Sequence, residues 1–387
     1  MTQHEEEETV NKLYLIDDEV PTPPGSFIQA YRGLSPLLRG GNLPWQFVLP
    51  EKAYKTYQEG VNRFKTLRDD LDLRYLTDVY NPTNKVFDYL RAAKINRERF
   101  DRFAALDATG HTSTFSPDEA GFARRVEYTR VGTVTGRLKT TGGPTLMHLT
   151  KSYRSVLESR HGPEKGTVIS LDYKSLEPRV LLCVSGTQPR GGMGRDIYEQ
   201  IRSDLFAHVG GSKITRDTVK GIVLSEMFGA GIESLQRRLP EVGDLPRIVE
   251  EIGGWFGLPE LKERLRLNWL ENDRRFIENY YGRRVRTDSQ HTLISHYVQS
   301  TAVDVTLLGF LQILEYLDSI NMLDEVVPLF ILHDALVLDV KNTVDFSLVA
   351  GLAKIGSIDI KGFEDTVFHM TIDREFTTNK EHTAHQP

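Results

Sequence analysis

The pattern of apolar and polar positions predicts both strands and helices in this chain. Short apolar runs rich in β-branched residues lie at Thr167–Tyr173, Val326–Leu332 and Ala335–Val340, and each has the length of a buried strand. The stretch Thr292–Leu317 is longer, and polar residues interrupt its apolar positions at intervals, which predicts one long buried helix. Strands and helices therefore both contribute to the predicted core.

Further helices are predicted from cap residues and helix-forming composition. One begins near Leu176, with Pro178 in its first turn, and one runs from an N-cap at Thr215 to a stop at Gly229. Helix is also expected over 51–107 (two or three helices, interrupted near Asn81-Pro82), over 196–209 and over most of 232–282. Irregular or loop structure is expected over 1–50, 108–120 and 187–195, and in the tail 377–387.

Composition and charge leave the class of partner open. A chain of 387 residues can bury a sizeable core in two or three subdomains. The formal net charge of −6 argues weakly against nucleic-acid binding. The segments 124–154 and 264–286 are nevertheless strongly basic, and such segments can form a local positive surface on an acidic protein. A solvated charged face explains either segment equally well.

The cysteine content and the hydropathy restrict the cellular setting. Cys183 is the only cysteine, which excludes an intrachain disulfide and a zinc site of several cysteines. Residues 1–9 are polar, and no uninterrupted apolar run reaches the ~18 residues of a membrane span. We therefore expect a cytoplasmic protein with no signal peptide and no membrane partner.

Two aspartates at predicted strand ends are the first candidate functional residues. Asp172 ends one strand, and Asp334 lies between the other two. Such positions are stiff mounts for ligands, and two carboxylates together with substrate phosphates suit a pair of Mg²⁺ ions. Taken singly, Asp334 is better explained as a hairpin-turn residue, and Asp172 as a strand-end or capping residue.

The helix after Thr215 is the second candidate. Arg216, Lys220, Leu224 and Phe228 are four apart, so they share one broad face. Its cationic half lies at the helix N-terminus and suits a triphosphate, and its apolar half suits a sugar and base. Alone, an amphipathic helix with two surface cations explains the pattern. Between the two aspartates, the helix points to nucleotide polymerisation.

The region from Gly132 to Val340 resembles the polymerase module of family A DNA polymerases, the bacterial DNA polymerase I type. The matching segments are Thr135–Leu138, Asp172–Arg179 (motif A), the spacing of Arg216, Lys220, Phe228 and Gly229 (motif B), Ser295–Gln299, His333-Asp334 (motif C), Asp196–Tyr198 and Tyr281–Arg284. The resemblance implies an α+β right-hand fold with an antiparallel palm sheet, helical fingers and a reduced helical thumb.

The implied domains follow the chain. They are an irregular N-terminal segment (1–50), a reduced thumb (51–120), a first part of the palm with motif A (121–195), fingers with the motif B helix 215–229 (196–290), a second part of the palm with the motif C hairpin (291–376) and a flexible tail (377–387).

The resemblance also implies catalytic roles. Asp172 and Asp334 are expected to bind two Mg²⁺ ions, for which Mn²⁺ can substitute, with the carbonyl of Tyr173 as a further ligand. Arg216 and Lys220 are expected to hold the triphosphate, and Lys220 to protonate the leaving pyrophosphate.

Specificity and DNA contacts are implied in the same way. Glu177 is expected to exclude a ribose 2′-hydroxyl, and Leu224, Phe228 and Tyr198 to surround the nucleotide. Arg137 and Gln299 are expected to read minor-groove acceptors common to all correct pairs. The remaining primer-template contacts are expected at His333 (on the primer-terminal phosphate), Ser295, Arg283 and Arg284.

Several positions depart from the family's pattern. Leu224 stands where Phe or Tyr is usual, and Phe228 replaces a Tyr whose hydroxyl bonds the gate glutamate. Tyr198 replaces a phosphate-binding His, Ala335 replaces a Glu, and Ser295 replaces an Asn. We expect altered sugar discrimination or fidelity.

The resulting prediction is a minimal template-directed DNA polymerase that uses primer-template DNA and dNTPs. The chain has no room before Gly132 for a proofreading exonuclease domain, and Asp17–Glu19 is better explained as an acidic loop than as part of one. Separate processivity, helicase or exonuclease proteins are expected as partners, in a phage or mobile element of a bacterial host. A single-subunit RNA polymerase or primase, and a catalytically silent nucleic-acid-binding scaffold, remain alternatives.

Overall fold

The computed structural model describes residues 3–16, 23–34, 44–107, 110–145, 153–186, 196–206, 214–240, 242–357, 360–363 and 368–373. The predicted loop 187–195, the tail 377–387 and the acidic segment Asp17–Glu19 lie outside these residues. The chain divides into two compact units, Met1–Leu76 and Thr77–Pro387.

The helices alternate with short strands along the chain. The α-helices are Gln3–Tyr14 (α1), Gly25–Leu34 (α2), Glu51–Asp69 (α3), Asn81–Tyr89 (α4), Arg97–Leu106 (α5), Leu176–Ser185 (α6), Ile197–Phe206 (α7), Arg216–Phe228 (α8), Ile232–Arg238 (α9), Leu245–Trp255 (α10), Leu258–Glu271 (α11), Leu293–Ser319 (α12) and Phe346–Ile355 (α13). The strands are Lys94–Ile95 (β1), Glu127–Thr129 (β2), Lys139–Gly142 (β3), Leu157–Glu158 (β4), Gly166–Tyr173 (β5), Phe276–Glu278 (β6), Arg284–Arg286 (β7), Val326–Leu332 (β8), Ala335–Lys341 (β9) and Met370–Asp373 (β10).

The first unit is more helical than its composition suggests. The expectation that residues 1–50 are irregular is wrong over α1 and α2. Val10, Leu13 and Tyr14 lie at helical spacing in α1 and are buried. Pro23 and Pro24 directly precede α2. Prolines are typical of loops, which is why residues 1–50 resemble an irregular segment in sequence.

A four-stranded antiparallel sheet in the order β10-β5-β9-β8 is the centre of the second unit. The predicted strands at 167–173, 326–332 and 335–340 are confirmed to within one residue. Every residue of β8 is buried although the strand lies at the sheet edge. Near-continuous apolar sequence is expected for strands that are covered on both faces.

The long helix α12 covers one face of this sheet. The ring of Tyr173 stacks on Phe310 at 6.0 Å between centroids, and its hydroxyl donates to the carbonyl of Gly356. A Cβ at Gly309 would lie 1.9 Å from the Tyr173 hydroxyl, so this helix position must be glycine. The other face packs into a cluster that includes Val168, Val337 and Phe115. The helix 290–319 is apolar and long enough to cross a membrane, but 83% of its apolar window is buried in the protein.

A buried polar network fastens α12 to its neighbours. The side chains of Arg130 and Asp304 are 0% exposed and form an ion pair. Asn279 Nδ2 donates to Asp304 at 2.8 Å, and Arg130 Nη1 donates to the Thr83 hydroxyl at 2.6 Å. The Arg130 guanidinium also lies 4.8 Å from the centroid of the Tyr80 ring. The network joins α4, the end of β2 and the turn after β6 to one turn of α12.

The expectation of mostly helical structure over 232–282 is wrong from residue 276 onward. Asp273 and Arg274 both adopt positive φ angles of 53° and 60°, which end the preceding helix. The chain then forms the antiparallel pair β6–β7, in which Phe276 faces Arg286. The Asn279 side chain accepts from the backbone N–H groups of Tyr281 and Arg283, and a side chain that holds a turn in this way stabilises a hairpin.

Candidate active site

The two predicted metal-binding aspartates lie at adjacent strand ends. Asp172 is the next-to-last residue of β5 and pairs with Ala335 of β9. Asp334 precedes Ala335 in the turn between β8 and β9, where His333 adopts φ 57°. The backbone N–H of Tyr173 donates to the Asp334 carbonyl at 3.4 Å. The register of the sheet thus brings together two carboxylates that are 162 positions apart in sequence (334 − 172).

These two carboxylates are hydrogen-bonded to each other, and the pKa of each is raised. Burial, followed by the Asp334 charge, raises the pKa of Asp172 to about 7. Burial also raises the pKa of Asp334, although His333 and Arg137 lie close enough to oppose the shift. A side-chain hydrogen bond joins the two groups. Partial burial and the neighbouring like charge both make the ionised form of Asp172 costly.

Asp373 is a third carboxylate near this pair, and it is not among the site residues predicted from the sequence. It lies on β10, where Thr371 pairs with Asp172, and its charge contributes to the raised pKa of Asp172. The Arg154 guanidinium acts in the opposite direction on the same group. The strand β10 has only four residues, so periodicity in the sequence could not have placed Asp373 beside the site.

The helix α8 presents the predicted nucleotide-binding face. Thr215 caps it, accepting from the backbone N–H of Thr218 at 3.1 Å, and Gly229 ends it with φ 70°, as predicted. The face that carries Arg216, Lys220 and Phe228 is the exposed one, and the opposite face is buried. The four-residue spacing therefore predicts the orientation of this helix correctly.

Arg216 is held by partners on the neighbouring helix. Its Nε and Nη2 atoms donate to the same oxygen of Asp196 at 3.0 and 2.7 Å. The guanidinium also lies 5.3 Å from the centroid of the Tyr198 ring. The Tyr198 side chain is buried, and its hydroxyl bonds to Ser175. Arg216 is thus oriented beside Tyr198 before any anion binds.

A cavity of about 410 Å³ gathers most of the predicted nucleotide and primer contacts. The predicted residues that line it are Arg137, Glu177, Tyr198, Lys220, Leu224, Gln299, His333 and Asp334. Asp172 reaches this set through its hydrogen bond with Asp334. One cavity therefore joins a cationic residue of α8, the motif C turn and the two segments that contribute Arg137 and Gln299.

Two cavity residues from distant segments form an ion pair. Arg137 Nη2 contacts Glu177 Oε1, with side chains that are 53% and 21% exposed. Arg137 belongs to the loop before β3, and Glu177 lies in the first turn of α6. The two residues have separate predicted roles, and their contact was not predicted from the sequence.

Besides Arg216, four predicted contacts are not among the residues that line this cavity. Arg283 is 3% exposed and donates to the Arg130 carbonyl at 3.3 Å, and Ser295 is buried and donates to the Thr292 carbonyl at 3.0 Å. The Arg284 guanidinium lies 4.7 Å from the centroid of the Phe276 ring. Phe228 is 41% exposed and is not among the residues that line the cavity.

No family model matches this chain, and no curated protein matches it. Among solved structures, the chain is similar to the POL domain of Pol1 from M. smegmatis, in a complex with DNA primer-template and dNTP. The TM-score is 0.58 at 12% sequence identity, over 89% of this chain and 78% of that chain. The likeness shows that this chain has the α+β fold of a polymerase domain, which confirms the predicted fold class.

Proposed function

We propose that this protein is a template-directed DNA polymerase that adds deoxynucleotides to the 3′-end of a primer. The observation that carries the proposal is the half-buried, hydrogen-bonded pair Asp172 and Asp334 at the cavity that Lys220 and Arg137 also line. A strongly perturbed carboxylate pair in a cleft is a signature of a functional site. The M. smegmatis complex with primer-template and dNTP supports the choice of partners.

Two Mg²⁺ ions fit the chemistry of the carboxylate pair. Buried carboxylates that repel each other are stabilised by a bound cation, and Mg²⁺ prefers carboxylate oxygens with open positions for water and phosphate. No group of three or more His, Cys, Asp or Glu side chains is arranged to hold a metal within the described ranges. Asp172, Asp334 and the Tyr173 carbonyl would hold the ions. Bound Mg²⁺ neutralises charge on the transferring phosphoryl group and activates the attacking hydroxyl.

Lys220 and Arg216 would contact the triphosphate of the nucleotide in different ways. Lys220 lines the cavity and would contact the triphosphate, which suits its proposed role as proton donor to pyrophosphate. Arg216 would reach the same phosphates only by sharing or leaving Asp196. Gln299 and His333 line the cavity near Asp334 and would face the primer end. Catalysis would come chiefly from positioning and charge stabilisation.

Primer extension tests the proposal directly. The protein is incubated with a labelled primer-template, Mg²⁺ and either dNTPs or rNTPs, with EDTA as the metal-free control. We expect template-dependent extension that requires the metal and prefers dNTPs. The variant Arg247→Gln is a matched control, because it removes a surface cation that pairs with Glu251 on α10, away from the cavity.

The other outcomes identify the alternatives. Equal or better use of rNTPs would favour an RNA polymerase or primase. Tight primer-template binding without extension would favour a silent scaffold. A reaction without nucleotides serves as the proofreading control, and we expect no shortening of the primer there.

A further inference from the structure

The contact between Arg137 and Glu177 connects two parts of the cavity that the sequence treats separately. Arg137 Nη2 forms an ion pair with Glu177 Oε1 across 40 positions of sequence. Both residues line the cavity together with Leu224 and Lys220. The pair therefore lies in the same cavity as the residues of α8 that we propose to bind the nucleotide.

The loop that carries Arg137 is fixed by its own contacts. The Thr133 hydroxyl donates to the Arg137 carbonyl at 2.8 Å, and the Gly136 N–H donates to the Thr133 carbonyl at 3.3 Å. Gly136 adopts φ 77°, and a Cβ there would lie 1.5 Å from Arg283 Nη1. Only glycine permits this close passage over the buried guanidinium. The backbone of Arg137 is thus held in one position.

The backbone of Glu177 is equally fixed. Ser175 adopts φ 48° immediately before α6, and its hydroxyl forms a hydrogen bond with the Tyr198 side chain. The Arg179 side chain donates from Nε to the Lys174 carbonyl at 2.9 Å, which closes the turn that leads into the helix. The ion pair therefore joins two rigid backbones, so it restricts the side-chain rotamer of Glu177 rather than the path of the chain.

A partner for Glu177 matters because the apolar half of the α8 face carries no hydroxyl that could hold it. Phe228 has no hydroxyl and is not among the residues that line the cavity, and Leu224 is aliphatic. A carboxylate that must exclude a 2′-hydroxyl needs a defined rotamer, since a mobile side chain leaves room for the extra oxygen. The guanidinium has five N–H donors, so the contact through Nη2 leaves others for primer-template DNA.

We propose that Arg137 is the positioning residue for Glu177, so that sugar selection in this protein depends on the loop before β3 instead of on a hydroxyl from α8. The inference rests on the proposed polymerase function. Its consequence is that removing Arg137 changes the ratio of dNTP to rNTP incorporation, and not only the affinity for primer-template.

Single-turnover incorporation with saturating primer-template tests this. The ratio of the dNTP to the rNTP efficiency is measured for the unmodified protein, Arg137→Gln, Arg137→Lys, Glu177→Ala and the double variant Arg137→Gln/Glu177→Ala. We expect Arg137→Gln to lower the ratio about tenfold, the effect of one charged hydrogen bond, and Arg137→Lys to recover part of it. In the Glu177→Ala background, Arg137→Gln should change the ratio no further, because coupled residues are not additive.

Both efficiencies come from one preparation, so a misfolded fraction cancels in the ratio. Arg247→Gln is the matched control, and its ratio should equal that of the unmodified protein. If Arg137→Gln slows dNTP and rNTP incorporation equally, Arg137 acts only on the primer-template and the inference is overturned while the proposed function stands. If the unmodified protein extends no primer, the proposed function fails and the inference fails with it.

Discussion

Two pairs of ionisable groups in the described part of the chain differ in the sign of their charges and in burial: one pair is buried and the other is half-buried. Arg130 and Asp304 are oppositely charged, 0% exposed, and supported by Asn279 and Thr83. Asp172 and Asp334 are both acidic, and burial raises the pKa of each. An opposite-charge pair with hydrogen-bonding partners fixes packing, whereas a like-charge pair makes the metal-free site less stable, and a bound cation would offset that cost. The difference distinguishes a structural pair from the pair that we propose to be catalytic.

Removing a carboxylate from the acidic pair should have the largest effect, and it should fall on activity. We expect Asp334→Ala to lower the rate of dNTP incorporation by about 10³-fold or more, because the proposed metal site loses a ligand. The unfolding free energy in EDTA should not fall, since one of two repelling carboxylates is gone. Rapid-quench primer extension and urea denaturation measure the two quantities. Extension at the unmodified rate would refute the assignment of Asp334.

Removing the cation of the opposite-charge pair should act on stability instead. Arg130→Met leaves the Asp304 carboxylate buried without its countercharge, and we expect the unfolding free energy to fall by about 3–5 kcal/mol. The double variant Arg130→Met/Asp304→Leu should be less destabilised than Arg130→Met, because no buried charge remains unpaired. Equilibrium urea denaturation of all three proteins provides the comparison. A double variant that is less stable than the single one would mean that the network contributes more than charge balance.

The pH dependence of stability should differ between the two pairs. The pKa of Asp172 is raised to about 7, so between pH 4 and 7 the folded protein binds more protons here than the unfolded chain. This group therefore stabilises the fold least at high pH, and stability in EDTA should decline as pH rises through that window. Asp172→Asn should remove this decline and be more stable than the unmodified protein at pH 8, by on the order of 2 kcal/mol after allowance for solvent screening.

Denaturation midpoints at several pH values, with and without Mg²⁺, test that expectation. Added Mg²⁺ should stabilise the unmodified protein more than Asp172→Asn. A parallel pH profile for the two proteins would contradict the raised pKa.

The smallest effect is expected from adding a carboxylate beside the acidic pair. Ala335 is directly opposite Asp172 in the sheet, so side chains at the two positions point to the same face. We expect Ala335→Glu to lower the unfolding free energy in EDTA at pH 8 by about 1 kcal/mol through like-charge repulsion. Ala335→Gln controls for side-chain length. Saturating Mg²⁺ should reduce the difference between Glu and Gln, and an unchanged difference would place the new carboxylate away from the metal site.

Much of the second unit could be predicted because its elements carry strong local signals. The three predicted strands of the sheet, β5, β8 and β9, are mainly apolar runs. The helix α8 has an N-cap at Thr215 and a C-terminal glycine at Gly229. Short elements carried no such signal. The hairpin β6–β7 has only three residues in each strand, and it follows a segment whose composition favours helix. It was therefore not predicted. The helix α1 was not predicted, because the prolines that follow it in the sequence indicated an irregular segment.

The sequence by itself determined the strand ends that carry Asp172 and Asp334 and the helix face that carries Lys220 and Leu224, because periodicity and turn chemistry act over a few residues. Only the tertiary structure decided which residues meet. The register of β5 against β9 and β10 brings Asp172, Asp334 and Asp373 close together. The loop that passes over Arg283 places Arg137 in contact with Glu177. These contacts join segments far apart in the chain, and their burial and charge arise only when the sheet and its flanking helices have packed.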